Sequence, residues 1–72
     1  MDRDEWIDSF AAAAGVERPS EEEVTALLAL AGVAAHASER TAAPIACWIA
    51  GRSGLSLAEL QRLADAVGDS TG

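Results

Sequence analysis

Residues 24–51, VTALLALAGVAAHASERTAAPIACWIAG, decide the fold because charge is almost missing from them. Only Glu39 and Arg40 are charged in these 28 residues, and the two are adjacent. Apolar side chains recur at helical spacing on either side of that pair, without the alternation of a half-buried strand. A helix that is apolar on every side is normally enclosed by neighbouring elements. The stretch therefore predicts two central helices joined by a short charged turn.

Capping signals predict where the helices begin and end. An N-cap residue followed three positions later by Glu, which is the capping-box pattern, occurs at Asp2, Ser20 and Ser56. Thr41 is the predicted N-cap of the remaining helix, and Pro44 is tolerated in its first turn, where the missing N–H would be unpaired anyway. We predict an all-α, compact four-helix domain over residues 1–72, with helices at about 3–14, 21–38, 42–52 and 57–67 and a frayed tail at 69–72.

The predicted core is small. Half of the chain is hydrophobic, but 17 of those residues are alanines. A domain of this size buries only about 60% of the surface of its unfolded chain, so added stability from a partner is expected. The core stripes predicted from helical spacing are Trp6, Phe10 and Ala13 in the first helix, Val24, Leu27, Leu28, Ala31 and Ala35 in the second, and Leu57, Leu60, Leu63, Ala64 and Val67 in the fourth.

The third predicted helix has two apolar arcs and no polar one. Four short helices cannot enclose two apolar helices completely, so we predict a partner-binding surface on this helix, where small side chains let another helix approach to about 8 Å. The alternative is that the extra alanines simply face water, since single exposed apolar groups are common. The predicted contact residues are Ile45 and Trp48 of the bulky arc, which also holds Ile49, and Ala43, Ala46, Cys47 and Ala50 of the small arc.

Three polar residues are expected at the edge of this surface. Arg40 follows His36 by one helical turn, and Arg40 and Glu39 are the charges of the apolar stretch. We predict that Arg40 is a polar anchor for a partner, with His36 and Glu39 beside it at the rim. The alternative is an ordinary surface ion pair between Glu39 and Arg40 that contributes under about 1 kcal/mol.

The charge balance argues against nucleic acid and membranes as partners. The chain has 12 acidic and 5 basic residues, a net charge of −7 and no lysine. An acidic surface repels phosphate backbones and anionic lipid. A single cysteine fits a reducing compartment, the N-terminus lacks the apolar run of a signal peptide, and no apolar stretch reaches the ~20 residues that span a bilayer. A cytoplasmic location is the expectation.

Catalytic, metal and cofactor sites are not predicted. His36 and Cys47 are each the one residue of their type, whereas a zinc site needs three or four ligands at recognisable spacing. A catalytic Cys47–His36 pair would need an orienting third group and an oxyanion site, and no motif supplies either. Gly51 and Gly54 flank a turn and do not follow a strand, so they are not a phosphate-binding loop. The chain is therefore not expected to be an enzyme.

Two stretches resemble known families. Residues 34–51, AAHASERTAAPIACWIAG, with Trp6–Ile7 and Gly15–Val16, resemble a small helical domain-of-unknown-function family of high-GC bacteria. Its most specific part is His-x-x-x-Arg followed by Ala-Ala-Pro, here His36, Arg40, Ala42, Ala43 and Pro44. Members occur alone or joined to the molybdenum cofactor guanylyltransferase, so the resemblance implies a link to molybdopterin-guanine dinucleotide biosynthesis. It supplies no catalytic residues.

The second half of the chain also resembles the phage-repressor type of helix-turn-helix domain, in which the helix at 42–52 would be the recognition helix. Reading bases needs Arg, Lys, Asn or Gln in the groove, and the small arc of this helix provides none of them. We therefore predict a non-enzymatic interaction module that forms a dimer or binds a protein, accessory to molybdenum cofactor biosynthesis. A degenerate DNA-binding domain is the alternative.

Overall fold

A computed structural model describes residues 1–71, and in that range the chain forms four α-helices and no strand. They are α1 (Arg3–Ala14), α2 (Glu21–Ala37), α3 (Ala42–Ser53) and α4 (Leu57–Thr71). The predicted all-α class is confirmed, and the first three helices match their predicted bounds to within one residue. Helix α4 continues to Thr71, past its predicted end at residue 67. The predicted frayed tail stays a prediction, and its last residue, 72, lies outside the described range.

Asp2 and Ser20 cap α1 and α2, and the predicted capping box is complete at α2 but not at α1, where only the bond to Asp2 forms. The Asp2 carboxylate accepts a hydrogen bond from the backbone N–H of Glu5 at 2.8 Å, and this bond lowers the pKa of the Asp2 carboxyl below its usual value. At α2 the Glu23 N–H donates to Ser20 Oγ at 3.1 Å, and the Ser20 N–H donates to Glu23 Oε1 at 2.7 Å. Both bonds of a capping box are therefore present.

The N-termini of α3 and α4 differ. Ser56 Oγ accepts from the Glu59 N–H at 3.2 Å, which confirms the predicted cap of α4. The prediction that Thr41 caps α3 with its side chain is wrong, because no such bond forms. Thr41 already has helical backbone angles, φ −70° and ψ −14°, where an N-cap residue is normally extended. Its hydroxyl donates instead to Glu39 Oε2 at 3.4 Å.

Helix α2 is the centre of the molecule. Helices α3 and α4 each pack along it, whereas the other helix pairs of the described chain make little contact. The result is an elongated body of 39 × 24 × 18 Å. Helix α1 lies beside the first half of α2, which leaves the second half of α2 to α3 and α4.

The buried core is smaller than predicted. Leu30, Ala50 and Leu60 form its centre, and the half-buried Leu57 and Ala64 pack against them. In the described chain no side chain is completely enclosed. The predicted stripes of α1 and α2 are wrong at four positions, because Trp6, Phe10, Ala13 and Leu28 are exposed while Ala11 and Leu30 are buried. Apolar residues surround α2 on every side, so their spacing could not show which side meets α3 and α4.

Candidate functional site

An open groove lies over α2 between α3 and α4. The two flanking helices contact α2 but diverge from one another, and the space between them has a volume of about 680 Å³. One ionisable side chain, Glu39, is among its lining residues. We call this space the apolar groove; it is lined by Leu30, Ala34 and Ala37 of α2, Ile45, Ala46, Ile49 and Ala50 of α3, and Leu63 and Val67 of α4, among others.

The walls of the apolar groove expose large apolar side chains. Ile45 is 60% exposed, Ile49 55% and Val67 63%. The chain as a whole exposes 5424 Å², whereas a folded monomer of its mass is expected to expose about 4,200 Å². The chain therefore exposes about 1,200 Å² more than a compact monomer of its mass, and the side chains of the groove walls contribute to this excess.

Helix α3 reaches this arrangement by packing its small side chains inward. Ala50 is buried against α2, and Ala43, Ala46 and Cys47 are half-buried. The bulky arc, Ile45, Trp48 and Ile49, is left exposed. Small side chains let two helix backbones approach closely, and the bulky side chains then lie beside the contact and not within it.

The predicted contact residues divide into three groups. Ile45 and Ala46 line the apolar groove, and Ala50 is at its buried floor. Ala43 and Trp48 lie elsewhere on α3, where the Arg52 guanidinium lies 5.0 Å from the centre of a Trp48 ring. Cys47 lines a separate shallow depression next to Glu23, Leu27 and Leu57.

Only some of the residues predicted for the polar rim lie at the groove. Glu39 lines the groove, and Arg40 is exposed beside it in the chain. His36 is exposed near the end of α2 and does not line the groove. Residues of α4 form the wall that sequence reasoning missed, since Leu63 and Val67 were predicted to be buried. The available signal was that the α4 stripe holds more large apolar residues than one neighbouring helix can cover.

A second exposed apolar surface lies on α1. Trp6 and Phe10 stack on one another with ring centroids 5.0 Å apart, and both are more than half exposed. With Ala13 they occupy positions i, i+4 and i+7, which lie on one side of a helix. We call these three residues the aromatic stripe. Ile7, Ala11 and Ala14 line the depression between α1 and α2, and Phe10 borders the same depression at the edge of the stripe.

Ion pairs leave two of the five arginines without a carboxylate. Arg3 pairs with Asp4 and Arg18 with Asp8, in each case at about 3 Å, and Arg62 pairs with Glu59. Arg40 and Arg52 form no ion pair with the described side chains, those of residues 1–68. Both flank α3, one before its first turn and one in its last turn. An arginine therefore lies at each end of α3, and at the Arg40 end the carboxylate of Glu39 lines the groove beside it.

The sequence model of a domain of unknown function, DUF6457, matches residues 1–71. The chain belongs to the DUF6457 family. No curated protein and no solved structure matches it. The family assignment covers almost the whole chain and agrees with a small helical domain of unknown function, as the sequence motifs suggested.

Ionisable groups of this DUF6457 domain are dispersed over its surface. The described side chains, those of residues 1–68, hold no group of three His, Cys, Asp or Glu placed to bind a metal ion. His36 and Cys47 line no common pocket among those described for these residues. None of the helices in the described range has the length and apolar character needed to cross a membrane.

Proposed function

We propose that this chain is a non-enzymatic interaction module that binds a protein helix, from a partner or from a second copy, in the apolar groove. The observation that carries the proposal is the exposure of Ile45, Ile49 and Val67 along that groove. Binding of an amphipathic helix in an apolar groove is a common recognition mode, in which side chains spaced by one helical turn enter the groove. Helices α3 and α4 would be the walls and α2 the floor.

The contact surface would combine a bulky and a small part. Ile45 and Ala46 lie in the groove, and Trp48 extends the exposed apolar surface around α3. Arg40 is the proposed polar anchor at the rim, with Glu39 beside it. Burial of apolar surface is worth about 25 cal/mol per Å², and an exposed aromatic such as Trp48 is the type of residue that dominates interface energetics.

Catalysis is not part of the proposal. Glu39 is the ionisable side chain of the groove, so a substrate there would meet no acid–base pair and no nucleophile with an adjacent base. DNA binding has no supporting observation, because α3 presents isoleucine and tryptophan and the chain carries a net charge of −7. The family resemblance makes a molybdenum cofactor enzyme the first protein partner to test.

Site-specific photo-crosslinking tests the proposal. A photoreactive amino acid at position 45 in the groove, introduced in the native host, should give one discrete protein adduct. The same amino acid at position 58, an exposed alanine of α4 outside the groove lining, should give none. The adduct would be identified by mass spectrometry and its binding reproduced with purified proteins.

Matched charge substitutions then show whether the groove is responsible. Ala46→Glu should abolish binding of the purified partner because it places a carboxylate in the groove, whereas Ala58→Glu should bind like the wild type. Circular dichroism checks that both variants keep their helical content, and Ile49→Glu replaces Ala46→Glu if that variant unfolds. Equal adducts at positions 45 and 58, or undiminished binding by a folded groove variant, would refute the proposed function.

A further inference from the structure

The apolar groove and the aromatic stripe complement one another but lie at different places on the chain. We propose that a second copy of this chain covers the groove, with the aromatic stripe of each copy inserted between α3 and α4 of the other. The inference rests on the proposed function and deepens it by naming the occupant. Both α1 and α3 have 12 residues, about 18 Å at 1.5 Å per residue, so α1 is long enough to follow the wall formed by α3.

The positions of the two surfaces favour exchange between copies. Helix α1 packs beside Val24 and Leu27 in the first half of α2, whereas the groove lies over Leu30, Ala34 and Ala37 in the second half. The centres of the two places are about 12 Å apart along the helix axis. If each copy placed its stripe in the groove of the other, a two-fold axis would relate the two copies. Such an isologous dimer is closed and uses the same contact twice.

The amount of exposed surface suits a dimer of this kind. The excess over a monomer of equal mass is about 1,200 Å² per chain. A stable interface of standard size buries about 800 Å² on each partner. The excess is therefore large enough for an interface of standard size, to which the groove walls and the stacked Trp6 and Phe10 rings would contribute.

Charge also matches between the two surfaces. Glu5 lies in the first turn of α1, next to Trp6, and its carboxylate forms no ion pair among residues 1–68. Arg40 and Arg52 at the two ends of α3 have no carboxylate partner in the same residues. An acidic α1 inserted beside α3 would bring its carboxylates towards Arg40 and Arg52, with Glu39 as the acidic side chain of the groove lining, and the attraction to the two arginines favours this orientation over contact between two grooves.

Complementation between two variants tests the exchange. Trp6→Glu damages the stripe and leaves the groove intact, and Ile49→Glu damages the groove and leaves the stripe intact. Both positions are more than half exposed, so both variants should fold. The wild type should have twice the 7.4 kDa mass of one chain in light scattering, and each variant alone should dissociate with a Kd raised by about 30-fold or more.

Mixing the two variants in equal amounts should give more dimer than either variant alone, because the mixed dimer keeps one intact stripe in one intact groove, whereas both contacts are damaged in each variant by itself. Ile45→Glu replaces Ile49→Glu if the latter loses its helical circular dichroism signal. A wild type that stays at 7.4 kDa at high protein concentration, a Trp6→Glu variant that still dimerises, or a mixture that stays monomeric would each overturn the exchange. None of these results touches the crosslinking test of the groove, which would then identify a different protein as its occupant.

Discussion

Helices α3 and α4 pack against the same helix, α2, yet they distribute their apolar residues in opposite ways. Helix α4 buries Leu60 and turns charged side chains such as Arg62 to solvent. Helix α3 buries Ala50 and exposes Trp48 and Ile49. The orientation of α4 therefore follows hydrophobicity, whereas the orientation of α3 follows side-chain size.

The difference has a physical cause in the two sequences. Helix α4 has a polar side, so rotating it would bury a charge at a cost of several kcal/mol. Helix α3 has two apolar arcs, and rotating it would exchange one apolar surface for another. The small arc packs inward because alanines let the backbones of α2 and α3 approach closely. The bulky arc is then available for a partner.

Truncating one large residue in each helix should lower the free energy of unfolding by different amounts, because one residue is buried and the other is exposed. Leu60→Ala should lower the free energy of unfolding by about 2–4 kcal/mol, because Leu60 is buried against Leu30 and Ala50. Ile49→Ala should lower it by less than about 1 kcal/mol, because Ile49 is more than half exposed. Urea unfolding in the Trp6→Glu background measures both, since association would otherwise add to the stability.

A large loss of unfolding free energy in Ile49→Ala and a small loss in Leu60→Ala would contradict this difference between α3 and α4. That result would mean that α3 packs with its bulky arc inward. The slope of unfolding free energy against urea concentration should stay unchanged in both variants, since neither truncation alters how much surface unfolding exposes.

The N-terminal residues of α3 and α4 should also differ in their contribution to stability, by a smaller amount. Ser56→Ala should cost about 1 kcal/mol, because Ser56 Oγ accepts the Glu59 N–H at the start of α4. Thr41→Ala should change the free energy of unfolding by only a few tenths of a kcal/mol, because Thr41 makes no cap bond to α3. Thermal unfolding followed by circular dichroism measures both changes. Equal losses would mean that Thr41 does cap α3 in solution.

Helix ends could be predicted from this sequence better than helix faces. The caps at Asp2, Ser20 and Ser56 depend on local residue patterns, which are complete in the sequence, and all three form. The exposed positions of Phe10 and Leu28 depend on which neighbour covers which side. Apolar residues on every side of α2 carry no such information.

Only part of the candidate site could be predicted, again because the sequence does not show which side of a helix its neighbours cover. The absence of charge from residues 24–51 indicated an unsatisfied apolar surface, and Ile45 and Ala46 do line the groove. The opposite wall, with Leu63 and Val67, was not predicted. Its exposure arises from the divergence of α3 and α4, which is a property of tertiary packing and not of either helix alone.

The smallest effect concerns two glycines within the helices. Gly68→Ala in α4 should raise the free energy of unfolding by about 0.5 kcal/mol, since alanine favours the helix and its Cβ would meet the Ala37 Cβ at an ordinary contact distance of 3.7 Å. In Gly51→Ala, in the last turn of α3, the added Cβ would lie in open space, so this variant should raise the free energy of unfolding by less. Gly54→Ala is the control of opposite sign, because Gly54 has φ +72° and alanine is strained there.

The sign of the Gly68→Ala effect decides where α4 ends. If the helix continues to Thr71, residue 68 is inside it and a methyl group restricts the unfolded chain more than it disturbs the folded one. If the helix ended at residue 67, Gly68 would be a terminal glycine with a left-handed backbone and alanine would destabilise, as at Gly54. A loss in Gly68→Ala equal to that in Gly54→Ala would thus restore the shorter helix and remove the outer end of the α4 wall.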